Sequence, residues 1–174
     1  MTGTTLHIPT LETERLTLRA PRADDHEVFA SFLASDATEH IGGPQTEAES
    51  WRNLCQVIGH WTMRGFGRWM VTNKGSDTAI GLVGLHQPID WPDREIGWYI
   101  WSGNGQGFAR EAGVAARQYA YNTLGWPAAM SMINPGNDAS VRVAEAMGAV
   151  RAPDYNHPRF GPLMVYRHPN PEDV

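Results

Sequence analysis

A glycine stands at every second position of Gly103-Asn104-Gly105-Gln106-Gly107, directly ahead of a segment with helical spacing. Backbone N–H groups at a helix start lack intrahelical acceptors, and together with the helix dipole they attract an anion. Glycines let phosphate oxygens approach that backbone without meeting a Cβ. Such turns also arise for ordinary conformational reasons, so the order of the surrounding elements has to decide. A dinucleotide fold needs the turn after its first strand, with an acidic residue roughly 20 positions later; here several strands come first. An NTPase phosphate loop needs Gly-Lys-Ser/Thr, and Gln106-Gly107-Phe108 supplies neither the lysine nor the hydroxyl. The seven histidines show no His-Glu-x-x-His spacing and no neighbouring cysteine pair, so no metal is expected.

The elements that must position this turn follow from hydrophobic periodicity. Leu11 to Ala20 alternates through Leu16 and Leu18 and predicts a first strand; Asp24 and Asp25 then cap a helix through Phe29, Phe32 and Leu33. Ser35 to Gln45, with Gly42, Gly43 and Pro44, reads as a loop walling the substrate side, and Arg151 to Gly161 reads as a second such loop. Thr46 and Glu49 make a capping box for a helix to about Arg64, in which Trp51, Leu54, Cys55, Ile58 and Trp61 share one face. That spacing makes Cys55 a core residue and not a nucleophile. Period-two runs at 68–73, 79–86 and 95–100 predict an antiparallel meander. After the glycine turn comes a helix carrying Phe108, Ala112, Ala115 and Tyr119, then a strand at 128–133. A second helix from Ala139 to about Met147 is closed by Gly148, and a last strand lies at 163–167. Strand, helix and strand in right-handed crossover make the strands flanking the turn parallel neighbours. The fold class is α/β (α+β): a mixed central sheet, antiparallel first and parallel later, with helices on both faces. One domain is expected over 1–174, with a frayed tail at 168–174.

Composition narrows the partners. Fourteen Lys and Arg against nineteen Asp and Glu give a net charge of −5 with no basic run, which argues against nucleic acid. No stretch approaches the roughly 18 apolar residues of a membrane span. Met1 to Thr10 lacks the pattern of a signal peptide, and the single cysteine, Cys55, excludes an internal disulfide, so a cytoplasmic location is expected. A homodimer remains open.

The ordered motifs resemble the GNAT superfamily of N-acetyltransferases, particularly its branch acting on ribosomal-protein N-terminal amines. Leu11-Glu12-Thr13-Glu14-Arg15-Leu16-Thr17-Leu18-Arg19 is similar to that branch's first strand, and Glu95-Ile96-Gly97-Trp98 to its splayed fourth strand. Asn104-Gly105-Gln106-Gly107-Phe108-Ala109-Arg110-Glu111-Ala112 resembles its pyrophosphate motif, and Asn134-Pro135-Gly136-Asn137-Asp138-Ala139-Ser140 its second cofactor motif. With Glu145-Ala146-Met147-Gly148-Ala149 these span nearly the whole chain in family order.

The resemblance implies acetyl-CoA as co-substrate and a primary amine, on a small molecule or a protein N-terminus, as acceptor. It implies that the backbone of Ile100 and Trp101 holds the acyl-pantetheine arm like an added strand. Amides of Gly105, Gln106, Gly107, Phe108, Ala109 and Arg110 would hold the pyrophosphate. Asn137 would bind the arm and Ser140 face the thioester sulfur, although both side chains could instead cap the last helix. Three positions depart from the family pattern: Asn104 replaces the usual Arg or Gln, the link from Ile100 to Gly105 is one residue short, and Ala144 replaces a common tyrosine. Direct transfer needs a group to take the amine proton and one to protonate the departing thiolate. Glu95 is the candidate for the first, with His86 in reserve, and Ser140 for the second. Strand alternation puts Glu95, Gly97 and Tyr99 on one face, toward the cleft or solvent, where Glu95 could also pair with Arg94 or Arg68. Trp98, Trp101 and Trp126 either line an acceptor pocket or pack. The rival reading is a CoA-binding sensor of the same fold that has lost catalysis.

Overall fold

The computed structural model describes residues 6–174. Its strands are β1 (Leu11–Glu12), β2 (Leu16–Arg19), β3 (Arg68–Asn73), β4 (Ala79–His86), β5 (Glu95–Ile100), β6 (Met130–Ile133), β7 (Val150–His157) and β8 (Gly161–Arg167). Its α-helices are α1 (His26–Leu33), α2 (Glu47–Arg64), α3 (Phe108–Asn122) and α4 (Asp138–Ala146). The strands form one sheet in the order β1-β2-β3-β4-β5-β6-β8-β7. Only β5 and β6 run parallel, and they share a single registered pair, Glu95 with Met130.

Alternation along β3 and β4 feeds two cores. Met70 and Leu82 face α1 and α2, packing with Phe29, Leu33, Leu54 and Val57. Trp69, Val71, Val83 and Leu85 face α3, packing with Phe108, Ala112, Ala116 and Ala120. Helix α4 joins α3 where Gly113 leaves room for Met147; a Cβ at 113 would lie 2.6 Å from the Met147 sulfur. Two α3 arginines satisfy carbonyls at the end of α4: Arg110 donates to Ala146 O at 2.9 Å and Arg117 to Met147 O at 2.6 Å.

Four expectations change. The first strand is two strands, because the Thr13 hydroxyl and N–H turn the chain back on Leu16. Helix α2 buries the stripe Ser50, Leu54, Val57 and Trp61, leaving Trp51 and Cys55 exposed, so Cys55 is not a core residue. Both stripes fit helical spacing; hydrogen bonds of the Ser50 hydroxyl to Glu47 O and to the His26 ring belong to the buried one. The stretch 151–161, read as loop, is mostly strand β7. Pro153 and a polar composition hid it, and both are tolerated because β7 is the sheet edge and a register shift between Ala152 and Tyr155 absorbs the proline. The tail does not fray from His168, which is buried and donates its N–H to Ala129 O, while Pro169 O accepts from Tyr121.

The N-terminal hairpin is held by a buried ion pair. Arg19 bonds Asp25 through two nitrogens at 2.6 and 2.9 Å, and Asp25 also accepts the Arg22 N–H. Replacing Asp25 by Ala strands a buried guanidinium. Urea unfolding of Asp25→Ala should show a loss of about 3–5 kcal/mol; a loss under 1 kcal/mol would mean that water takes over the partner's place.

Candidate active site

At the glycine turn, Gly103, Gly105 and Gly107 all have positive φ, near 80°. Gly103 is needed for packing, since a Cβ there would meet the Phe108 ring at 2.6 Å, whereas a Cβ at Gly105 would point into open space. Gly105, Gln106 and Gly107 are exposed, and the first amides of α3, on Phe108, Ala109 and Arg110, have no intrahelical acceptor. The backbone at Gly105 is therefore open to an approaching anion, with the Arg15 guanidinium beside Gly107.

The turn is fastened by residues that sequence reasoning did not single out. Arg15, from the β1–β2 turn, donates to Gln106 O at 3.0 Å, lies over the Phe108 ring and pairs with Glu111 at 2.6 Å. Glu111 also accepts from the Thr13 hydroxyl and the Arg15 N–H. Burial alone would raise the Glu111 carboxyl; the bonds from Thr13 and Arg15 outweigh it and hold the group below its ordinary range. A carboxylate in the first turn of α3 would repel a bound anion, and Arg15 neutralises it.

The parting of β5 from β6 has a visible cause. Met130 N–H bonds Arg94 O, and a continuing parallel ladder would next join Met132 N–H to the Ile96 carbonyl. Side chains take both groups instead. Glu95 Oε1 accepts Met132 N–H at 3.2 Å, and the Ser131 hydroxyl donates to Ile96 O at 2.6 Å. His168, pushed down to about 3 by burial and by Arg117, is neutral and supports Ser131 from 3.0 Å. Beyond this point the two strands separate around a cavity of about 580 Å³.

The backbone of β5 therefore offers its free edge to that gap. Trp101 N–H does not belong to the edge, because it already bonds Ile80 O at 3.0 Å. Alternation in the antiparallel β4–β5 pair turns the backbone groups of Trp98 and Ile100 the other way, toward the gap. The Trp101 ring packs on Phe32 with its indole N–H on Ala79 O, and Trp126 is buried against Phe66. Of the three tryptophans considered, Trp98 alone lines the cavity.

Glu95 lies in the cavity wall with only 5% of its surface exposed. Its second oxygen accepts the Trp91 indole N–H at 2.8 Å, and it makes no salt bridge with Arg94 or Arg68. Burial pushes the carboxyl above the usual carboxylate range, against the charge of Arg68 and the two N–H bonds. His86, also in the wall, stacks on His60 and meets Trp91 edge-on. Burial, reinforced by Arg68 and His60, drives its pKa so low that the ring stays neutral, a poor trap for a proton. His60 is occupied structurally, between Phe66 O and the Gln87 N–H.

Asn137 caps α4: its Oδ1 accepts the Ser140 N–H at 3.1 Å. Ser140 lines the cavity beside Asn137, and its hydroxyl takes no part in that cap. The loop at 35–45 contains a 3-10 helix, Asp36–Ile41, and supplies His40, Ile41, Gly42, Pro44 and Gln45 to the wall. Asn134 fastens it through His40 O. Among the described residues no cluster of His, Cys, Asp and Glu could hold a metal, and no helix is long and apolar enough to cross a membrane.

Two parallel strands that part over a cavity, beside a helix start open to an anion, make an arrangement that can hold an extended ligand carrying a phosphate. The chain belongs to the GNAT acetyltransferases: the model of the acetyltransferase (GNAT) domain matches residues 15–150. A curated relative, the uncharacterized N-acetyltransferase YoaA of Bacillus subtilis, is 30% identical over 80% of this chain and 82% of its own. The solved acetyltransferase from Agrobacterium tumefaciens superposes with a TM-score of 0.87 at 33% identity, covering 98% of this chain and 99% of that one. The fold is also shared, at a TM-score of 0.75 and 15% identity over 92% and 97% of the two chains, with RimL, a ribosomal α-N-protein acetyltransferase solved with coenzyme A. The co-substrate of the family is acetyl-CoA, and the exposed amides at the start of α3 suit its pyrophosphate.

Two predictions follow from the loop and the cap. Ala109→Glu keeps normal φ and places a carboxylate where the helix dipole welcomes it, so the protein should stay folded. Acetyl-CoA should then raise the melting temperature of the wild type but not of Ala109→Glu, with affinity reduced at least about tenfold; an unchanged shift would move the phosphate site elsewhere. Asn137→Ala should lose about 1 kcal/mol of stability by denaturant titration, whereas Ser140→Ala, which leaves the capping bond intact, should stay within about 0.5 kcal/mol of wild type.

Proposed function

We propose that the protein transfers the acetyl group of acetyl-CoA to a primary amine by direct attack, in the cytoplasm, without a covalent enzyme intermediate. The carrying observation is Glu95, a buried carboxyl of raised pKa in the cavity wall where β5 and β6 part. Each of its oxygens retains a lone pair beyond the bonds from Met132 and Trp91, so the group can accept a proton from the amine, directly or through water. Bound acetyl-CoA supplies the acyl thioester. Amides of Gly105, Gly107, Phe108, Ala109 and Arg110 hold its pyrophosphate, the Gln106 N–H being turned back on Gly103 O, and the unpaired backbone of Trp98 and Ile100 holds its arm by strand addition. Asn137 offers its side-chain NH₂ to the arm, its oxygen being spent on the helix cap. The Ser140 hydroxyl, unengaged by the cap, donates to the departing sulfur. Because that interaction arises only as the thiolate forms, Ser140→Ala should lower kcat more than it weakens acetyl-CoA binding.

The pH dependence follows from the sign of the Glu95 shift. The base must be ionised, and burial raises its pKa, so kcat/KM should climb with pH along a limb lying above the ordinary Glu range. Glu95→Gln keeps an oxygen for the Met132 N–H yet cannot take a proton. It should lower the rate by roughly 10²-fold near neutral pH, with the deficit shrinking at high pH where the amine is already neutral. A pH–rate profile in Glu95→Gln that superimposes on the wild type, with acetyl-CoA binding intact, would remove Glu95 from the chemistry. Tight acetyl-CoA binding without turnover of any amine would favour a sensor.

A further inference from the structure

Arg68 lies across the sheet along a row from which side chains are missing. It pairs with Gly84 on β4, and Gly84 pairs with Gly97 on β5. A Cβ built on Gly97 would sit 3.6 Å from an Arg68 terminal nitrogen, so the guanidinium reaches β5 within the cavity wall. It stacks over the Tyr99 ring and donates to the Tyr99 hydroxyl at 3.4 Å, its Nε is buried without a protein partner, and among the described residues no carboxylate lies within salt-bridge distance. The carboxylates of the wall are otherwise engaged. Glu49 holds the α2 capping box, Asp90 faces His157 at 3.6 Å, and Glu95 accepts from Trp91 and Met132. A half-buried cation whose nearest wall carboxyl, Glu95, is bonded elsewhere and hard to ionise leaves part of its desolvation uncompensated until an anion arrives.

We propose that Arg68 determines acceptor specificity by pairing with a carboxylate on the acceptor, so that the substrate is an amine carrying an acid several bonds away. The inference rests on the amine-acetylation reading of the same cavity. Glu95 and Gly97 are two positions apart on one face of β5, a spacing of about 6–7 Å. The amine held at Glu95 and the carboxylate held at Arg68 are therefore separated by roughly five bonds, more than in an α-amino acid. One guanidinium flanked by the neutral rings of His60 and His86 matches a single negative charge better than a phosphate.

The test compares δ-aminovalerate with δ-aminovaleramide, pentylamine, glycine and phosphoethanolamine as acceptors. The acid should exceed its amide in kcat/KM by about 10- to 100-fold, the worth of a charge-assisted pair, and should exceed glycine and phosphoethanolamine. In Arg68→Gln the acid-to-amide ratio should collapse toward one, while Arg68→Lys keeps part of it and acetyl-CoA affinity, read from tryptophan fluorescence, holds in both. A wild-type ratio near one, or a ratio that survives Arg68→Gln, overturns the proposal. Calorimetric binding of δ-aminovalerate to the CoA complex separates the two readings. Binding that Arg68→Gln abolishes, with no turnover of any amine, refutes the transferase and keeps the recognition; turnover of neutral amines with no binding of the acid refutes the recognition alone.

Discussion

The replacement of one backbone rung by two side-chain bonds underlies the rest of the molecule. Where Met132 N–H and the Ile96 carbonyl would meet in a parallel ladder, Glu95 and Ser131 take them separately, and β5 and β6 part. Unpaired backbone is costly inside a protein unless something else can bond to it. Here the edge of β5 faces a cavity, so the unmet groups become a binding surface. On its other side β6 remains tied to β8, which keeps the gap from closing by strand movement. Glu95 thus stands where the strands part, buried in the wall of the space between them.

The charges around the opening are arranged by the same economy of partners. Arg15 neutralises Glu111 in the first turn of α3, so the amides there face an incoming anion without a competing carboxylate. Arg110 and Arg117 serve the opposite end of α4, tying together the two helices that follow the glycine turn and β6. Within the cavity, burial keeps His60 and His86 neutral and Glu95 hard to ionise, and Arg68 is the half-buried cation left without a carboxylate. Burial away from bulk water makes each of these states sensitive to what enters.

Much of the architecture was legible in the sequence because it rests on local rules. The Thr46–Glu49 capping box, the period-two runs of β3 to β5, and the glycine turn opening α3 each express a backbone preference within a few residues. The order of those elements set the glycine turn apart from a dinucleotide loop, and its spelling, without Gly-Lys-Ser/Thr, set it apart from an NTPase loop. Local rules misjudged Cys55, where two stripes of α2 both had helical spacing and a hydroxyl contact to His26 chose between them. They also missed β7, because an edge strand has little need of the apolar alternation that marks a buried one.

The sequence by itself determined which residues could bind an anion, cap a helix or carry a proton, since those capacities belong to side chains and to short backbone patterns. Only the tertiary structure decided which of them meet. Trp101, adjacent to Ile100 in the chain, turned out to spend its N–H on Ile80, while the backbone of Trp98, three positions earlier, faces the gap. Trp91 reached Glu95 across three intervening residues of irregular chain, and Arg68 reached the same wall from two strands away over a pair of glycines. Long-range pairing sets such meetings, and the register of distant strands leaves no trace in the spacing of the residues it brings together.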